Sequence, residues 1–149
     1  MLMLTFDTKG ILLPGVHWLT WQEVYNNFGY NQYRRNLLFG MMIGLNSLKQ
    51  VGCQEVYIDG SFATQKQLPG DFDICYEDST MDFDQLEIID PTILSFENLR
   101  AAQKGKYGGE FFPMTAVAAP PDITYFEFFQ IDKNTGDPKG IVGLKLATT

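Results

Sequence analysis

Two short apolar stretches, Glu55-Val56-Tyr57-Ile58 and Phe72-Asp73-Ile74-Cys75-Tyr76, are joined by a loop that opens on Asp59-Gly60-Ser61 and, after nine intervening residues, closes on Asp71. Their β-branched and aromatic residues predict two strands, so the chain must build a sheet around this pair. Side chains alternate along a strand, which turns Phe72 and Ile74 to a core and leaves Asp71 and Asp73 on the other face. A Gly-Ser turn leaving a strand offers backbone N–H groups and a hydroxyl to phosphate oxygens. Two like charges on one face repel unless a cation lies between them, and hard carboxylate oxygens suit Mg²⁺.

The rest of the chain reads as helices and strands around this pair. Thr5 to Gly15 reads as an extended arm outside the core, closed by Leu13-Pro14-Gly15. Thr20-Trp21-Gln22-Glu23 forms a capping-box pattern for a short helix through Phe28, ended by Gly29. Asn31 caps a longer helix in which Leu37, Leu38, Met41, Met42, Leu45 and Leu48 recur at helical spacing until Gly52. After an acidic loop (Glu77, Asp78, Asp82, Asp84), a further helix is predicted from Thr92 or Ser95 to Tyr107, stopped by Gly108-Gly109. A strand over Glu110 to Val117 follows, then a turn at Ala118-Ala119-Pro120-Pro121. The aromatic run from Tyr125 to Phe129 fits a strand or a short helix, and Lys133 to Pro138 is a turn leading to a last strand from Gly140 to Leu146. The expected architecture is one α+β domain over 1–149: an N-terminal arm and short helix (1–30), a motif-bearing core (31–117) and C-terminal strands (118–149). Its mixed sheet has four or five strands, helices mainly on one face and the site on the opposite, open face.

With 149 residues, 45% of them apolar, the chain suits a single core. No run of about 18 apolar residues occurs, and Met1-Leu2-Met3-Leu4 lacks the basic flank of a leader, so the expectation is a soluble, cytoplasmic protein without membrane contact. A net charge of −7 argues against gripping extended nucleic acid by this chain alone, because that affinity comes from bases neutralising phosphates. A small phosphorylated substrate brought in with magnesium, or a partner protein supplying positive charge, remains compatible. Cys53 and Cys75 are isolated and read as buried free thiols.

The order helix, strand, Gly60-Ser61, strand with Asp71-x-Asp73, helix, strand resembles the DNA polymerase β-like nucleotidyltransferase superfamily over roughly residues 35 to 117. The flanking text Leu13-Pro14-Gly15-x-His17, Arg34-Arg35-x-Leu37-Leu38, Phe62-x-Thr64-x-Lys66, Pro69-x-Asp71 and Lys139-Gly140-Ile141 is similar to a subgroup of small bacterial nucleotidyltransferase-like proteins tied to toxin–antitoxin or defence loci. The resemblance implies transfer of NMP from an NTP to a protein, RNA or small-molecule hydroxyl, with Mg²⁺ or Mn²⁺ held by three carboxylates. Asp71 and Asp73 are the first two; Glu110 is the leading third, with Glu127 and Asp122 as alternatives. Gly60 and Ser61 would hold phosphates, and Lys66 would add charge to the triphosphate. The alternative is an inactive scaffold of the same fold that binds nucleotide or a cognate partner. A domain this small often lacks its own acceptor lobe, so a partner or oligomer would complete the cleft.

Other residues have plainer readings. His17 is taken as a packed or surface imidazole, and Arg34-Arg35 as solvated arginines. Trp18, Trp21, Tyr25 and Phe28 read as an aromatic core or interface cluster near the first helix. The acids between Asp78 and Asp90 lack the ordered spacing and central glycine of a calcium loop.

Overall fold

The computed structural model describes residues 4–146; of Gly60 and Ser61 it describes the backbone alone, and the Met1-Leu2-Met3 part of the leader reading lies outside the described residues. In chain order it contains β1 (Gly15–Leu19), α1 (Trp21–Phe28), α2 (Gln32–Gln50), β2 (Glu55–Asp59), β3 (Phe72–Tyr76), α3 (Phe83–Ile89), α4 (Glu97–Tyr107), β4 (Gly109–Pro113), β5 (Val117–Ala119), β6 (Ile123–Thr124), α5 (Tyr125–Phe128) and β7 (Gly140–Lys145). Five strands form one mixed sheet in the order β1-β7-β2-β3-β4, and β5 and β6 make a small hairpin. The outer pairs β1–β7 and β3–β4 are parallel, while β2 runs antiparallel to both its neighbours. The fold is α+β, and among the described residues no helix is long and apolar enough to cross a membrane.

Alternation along the strands divides the molecule. Val56, Ile58, Phe72, Ile74, Tyr76, Phe111, Val142 and Leu144 enter the main core with residues of α1 to α4. Helix α2 lies close to α4 and β4 because two of its residues have no side chain. A Cβ on Gly40 would fall 1.9 Å from the Tyr107 carbonyl oxygen, and one on Gly44 would fall 2.4 Å from the Phe111 ring. The opposite face is not open throughout. Tyr57, Cys75, Phe112 and Ile141 meet Phe129, Tyr125 and Phe126 there in a second, smaller core. The aromatic run is a helix, capped by Thr124 and Glu127, and it covers the sheet because its rings need apolar partners.

The capping box at Thr20 and Glu23 and the Asn31 cap start α1 and α2 where the sequence places them. Several expectations are corrected. The Thr5–Gly15 segment contributes to the core: Leu12 is 1% exposed, and Leu4 and Phe6 pack beside it. Residues after Gly15 form β1, an edge strand whose ladder comes from β7, far along the chain. Trp18 meets Tyr57 edge-on while Phe28 lies in the main core, so the expected aromatic cluster is split between two faces. Of the α2 stripe, Leu38, Met41, Leu45 and Leu48 are buried, but Met42 is exposed. The acidic loop ends in a helix, α3, whose N-cap Asp82 accepts from the Gln85 N–H at 3.0 Å. Strand β4 ends at Pro113, just before the Met114 N–H that donates to the Tyr76 carbonyl at 2.9 Å, and the chain turns before β5. Ala118 and Ala119 belong to β5 rather than to the turn. Both cysteines are buried free thiols, and burial pushes Cys53 up to about 12.

Candidate active site

The smaller core leaves one end of the sheet uncovered, where β2 ends and β3 and β4 begin. Register brings three acids side by side there: Asp59 lies opposite Asp73, and Asp73 opposite Glu110. Asp71, just before β3, closes the group. Ligand oxygens of Asp71, Asp73 and Glu110 lie within 4.8 Å of one another, so these three expected ligands are brought together. An all-carboxylate set of this size is the hard donor set that Mg²⁺ or Mn²⁺ takes. Burial, then the charges of Asp71, Glu110 and Asp59, push Asp73 up to about 7, with Lys139 opposing. Burial also raises Asp71, against Lys104 and Lys133. A cation among these oxygens removes that electrostatic cost, which is the physical sense in which the residues fit a metal.

The alternatives for the third acid are engaged or displaced. The Glu127 carboxylate accepts from the Thr124 N–H at 3.1 Å as the cap of α5, and Asp122 lies in the turn after β5. Neither joins the carboxylate group. Glu110 also meets Lys104 of α4 at 3.5 Å.

Between β2 and β3 the backbone of Gly60–Ala63 makes a 3-10 turn; the Ser61 hydroxyl expected to hold phosphate lies outside the described residues. The loop beyond is fixed by Arg34, which is not solvated but 0% exposed. Its guanidinium donates to the carbonyls of Phe62 (2.8 Å), Thr64 (2.9 Å) and Lys66 (2.6 and 2.9 Å), and lies over the Tyr30 and Phe62 rings. The planar fork answers several carbonyls at once, which is why the loop and not water receives it. Arg35 donates to the Gly29 carbonyl and closes the end of α1. His17 Nε2 donates to the Leu13 carbonyl at 2.7 Å, a packed role.

Asp59 and Asp73 form the floor of an open cleft of about 880 Å³. Lys9, Lys66, Lys133 and Lys139 line it, and Tyr125 and Phe128 of α5 form an aromatic wall. Four of the chain's 11 basic residues thus converge on one cleft. Lys66 is where an anion in the cleft can reach it. Lys139 is ion-paired with Asp59. Sequence reasoning missed Asp59, Lys9, Lys133, Lys139 and the α5 wall. Asp59 had a local signal, as a carboxylate two residues before Ser61 and in phase with Tyr57; the lysines have none, because separate turns bring them together.

The curated proteins and the solved structures give no match to this chain. Residues 4–145 match the model of a family described as "Family of unknown function (DUF6932)", and the chain belongs to that family.

Proposed function

We propose that the chain is a metal-dependent nucleotidyltransferase with a polymerase β-like fold, moving NMP from an NTP to a hydroxyl acceptor. The observation that carries the reading is the grouping of Asp71, Asp73 and Glu110 within 4.8 Å, which Asp73 joins to a cleft lined by four lysines and an aromatic wall. Asp71, Asp73 and Glu110 would hold Mg²⁺ or Mn²⁺. When bound, the metal supplies charge neutralisation at the α-phosphate and at the leaving oxygen.

The chain's own residues do the rest. Lysines around the cleft bind the phosphate oxygens as charge-assisted donors. Tyr125 and Phe128 offer rings on which a base stacks. The acceptor hydroxyl forms a new O–P bond at the α-phosphorus, its proton passes to the Glu110 carboxylate, and the bond to the bridging oxygen breaks to release pyrophosphate. The rim of the cleft is open enough for an acceptor supplied by another macromolecule.

Purified protein incubated with labelled NTPs, Mg²⁺ or Mn²⁺, and candidate protein, RNA and small-molecule acceptors is expected to transfer label. Asp71→Ala and Asp73→Ala each lower transfer by roughly a hundredfold to a thousandfold while leaving a cooperative thermal transition. Transfer that persists in both variants overturns this assignment of the ligands. Nucleotide binding without transfer to any acceptor supports the inactive binding scaffold instead.

A further inference from the structure

Asp59 is a fourth carboxylate beside the group of three, and it has its own cation. Lys139 immediately precedes β7, and its ammonium pairs with the Asp59 carboxylate inside the cleft, the two side chains being 17% and 11% exposed. The root of Lys139 is fixed on both sides. Its N–H donates to the Gln130 carbonyl at 2.9 Å, and the Gly140 N–H donates to the Leu12 carbonyl at 3.0 Å. A Cβ at Gly140 would lie 2.1 Å from the Leu13 carbonyl oxygen, so the two backbones pack there with no room for a side chain. The four-carbon stem lines the cleft. Lys9, Lys66 and Lys133 are exposed, whereas Lys139 is withdrawn toward the carboxylates.

A desolvated ion pair of this kind adds little stability, because the cost of removing two charges from water offsets their attraction. Its position in the cleft is therefore more telling than its strength. A triphosphate presents more charge and more acceptor oxygens than one carboxylate does, and an ammonium follows them. We propose that Lys139 is a phosphate-binding residue of this site, held on Asp59 in the ligand-free chain and handed to the triphosphate of an incoming nucleotide. The inference rests on the nucleotidyltransferase reading and adds to it a ligand that the carboxylate motif does not contain.

The test is titration calorimetry with Mg²⁺ and two probes: α,β-methylene analogues of the four common NTPs, and inorganic tripolyphosphate. Lys139→Met is expected to weaken both probes by roughly tenfold to a hundredfold, the loss of one charge-assisted hydrogen bond. Lys139→Arg retains binding within a few fold. Lys139→Met also removes a cation from beside Asp59, so the Asp59→Asn/Lys139→Met double variant separates binding from folding: it removes both charges and stays weak if Lys139 holds phosphate. Full-strength binding by Lys139→Met, or recovery in the double variant, overturns this inference and leaves the transferase reading standing. Failure of every probe to bind the unaltered chain overturns both.

Discussion

Asp73 has carboxylates on three sides, and that crowding can be measured. Its folded-state pKa of about 7 lies above the ordinary value of 3.8, so across that interval the folded chain keeps a proton that the unfolded chain has released. The associated stability is present at the acid end and is lost as the pH rises through the folded value. In EDTA the melting temperature is therefore expected to fall between about pH 4 and pH 7, and Asp73→Asn should remove most of that fall. Mn²⁺ added near pH 8 should restore stability to the unaltered chain and not to the variant; a flat profile in EDTA would contradict the geometry. Arg34 gives the opposite lesson about what a sequence reveals. Asp71 and Asp73 were legible because strand period and spacing fix which way they point, and Glu110 because the resemblance implies a third acid there, whereas nothing local distinguishes the buried Arg34 from its neighbour Arg35. Its burial follows from carbonyls about 30 residues away on a loop that needs donors. Arg34→Met leaves those carbonyls unanswered and should cost about 3 kcal/mol or more in urea denaturation, with loss of probe binding at Lys66.

At the scale of elements, the helices are tied together by one buried acid. Asp90, after α3, accepts from Ser47 of α2 and from Lys106 and Tyr107 of α4. Burial alone would raise its pKa, but these hydrogen bonds outweigh burial and hold it below the ordinary carboxylate value. Its contribution is present above that ordinary value and is lost as the pH falls through the lower folded one. Asp90→Asn should cost about 2 to 3 kcal/mol near neutral pH and flatten the acid limb of stability below roughly pH 4. Helix α4 begins with Asn98, Leu99 and Arg100 at φ of 49°, 53° and 60°, a left-handed turn that the helical pattern of the sequence does not foretell. Leu99 is 84% exposed, so Leu99→Gly loses no packing and relieves the turn, raising stability by about 1 kcal/mol. In an ordinary helix the same change would lower it by a similar amount. The elements that were legible, α1, α2, β2 and β3, carry local caps or alternation. β1 was not, because its ladder partner is β7, and α3 was hidden by acids that read equally well as a solvated loop.

For the molecule as a whole, charge placement decides what the cleft accepts. The chain carries −7 overall, yet four of its lysines stand around Asp59, Asp71, Asp73, Glu110 and Asp132 at one end of the sheet. With Lys104 on Glu110, five cations face five carboxylates there, a balance that one divalent ion turns positive. Anion binding at this end should therefore depend on the metal, through local charge rather than through any change of fold. A long polynucleotide meets a different surface, since beyond the cleft it encounters a predominantly acidic molecule in which Lys104 and Lys106 are paired with Glu110 and Asp90. Net charge and size were readable from composition, but the convergence of Lys9, Lys66, Lys133 and Lys139 was not, because it depends on where three separate loops meet. Tripolyphosphate is expected to bind with Mg²⁺ present, to lose at least about tenfold in affinity in EDTA, and to weaken as salt is raised. A single-stranded RNA of about 20 nucleotides should show no comparable binding in fluorescence anisotropy at about 0.15 M salt. Tight RNA binding under those conditions, or tripolyphosphate binding indifferent to EDTA, would mean that the lysines act on a surface separate from the carboxylates.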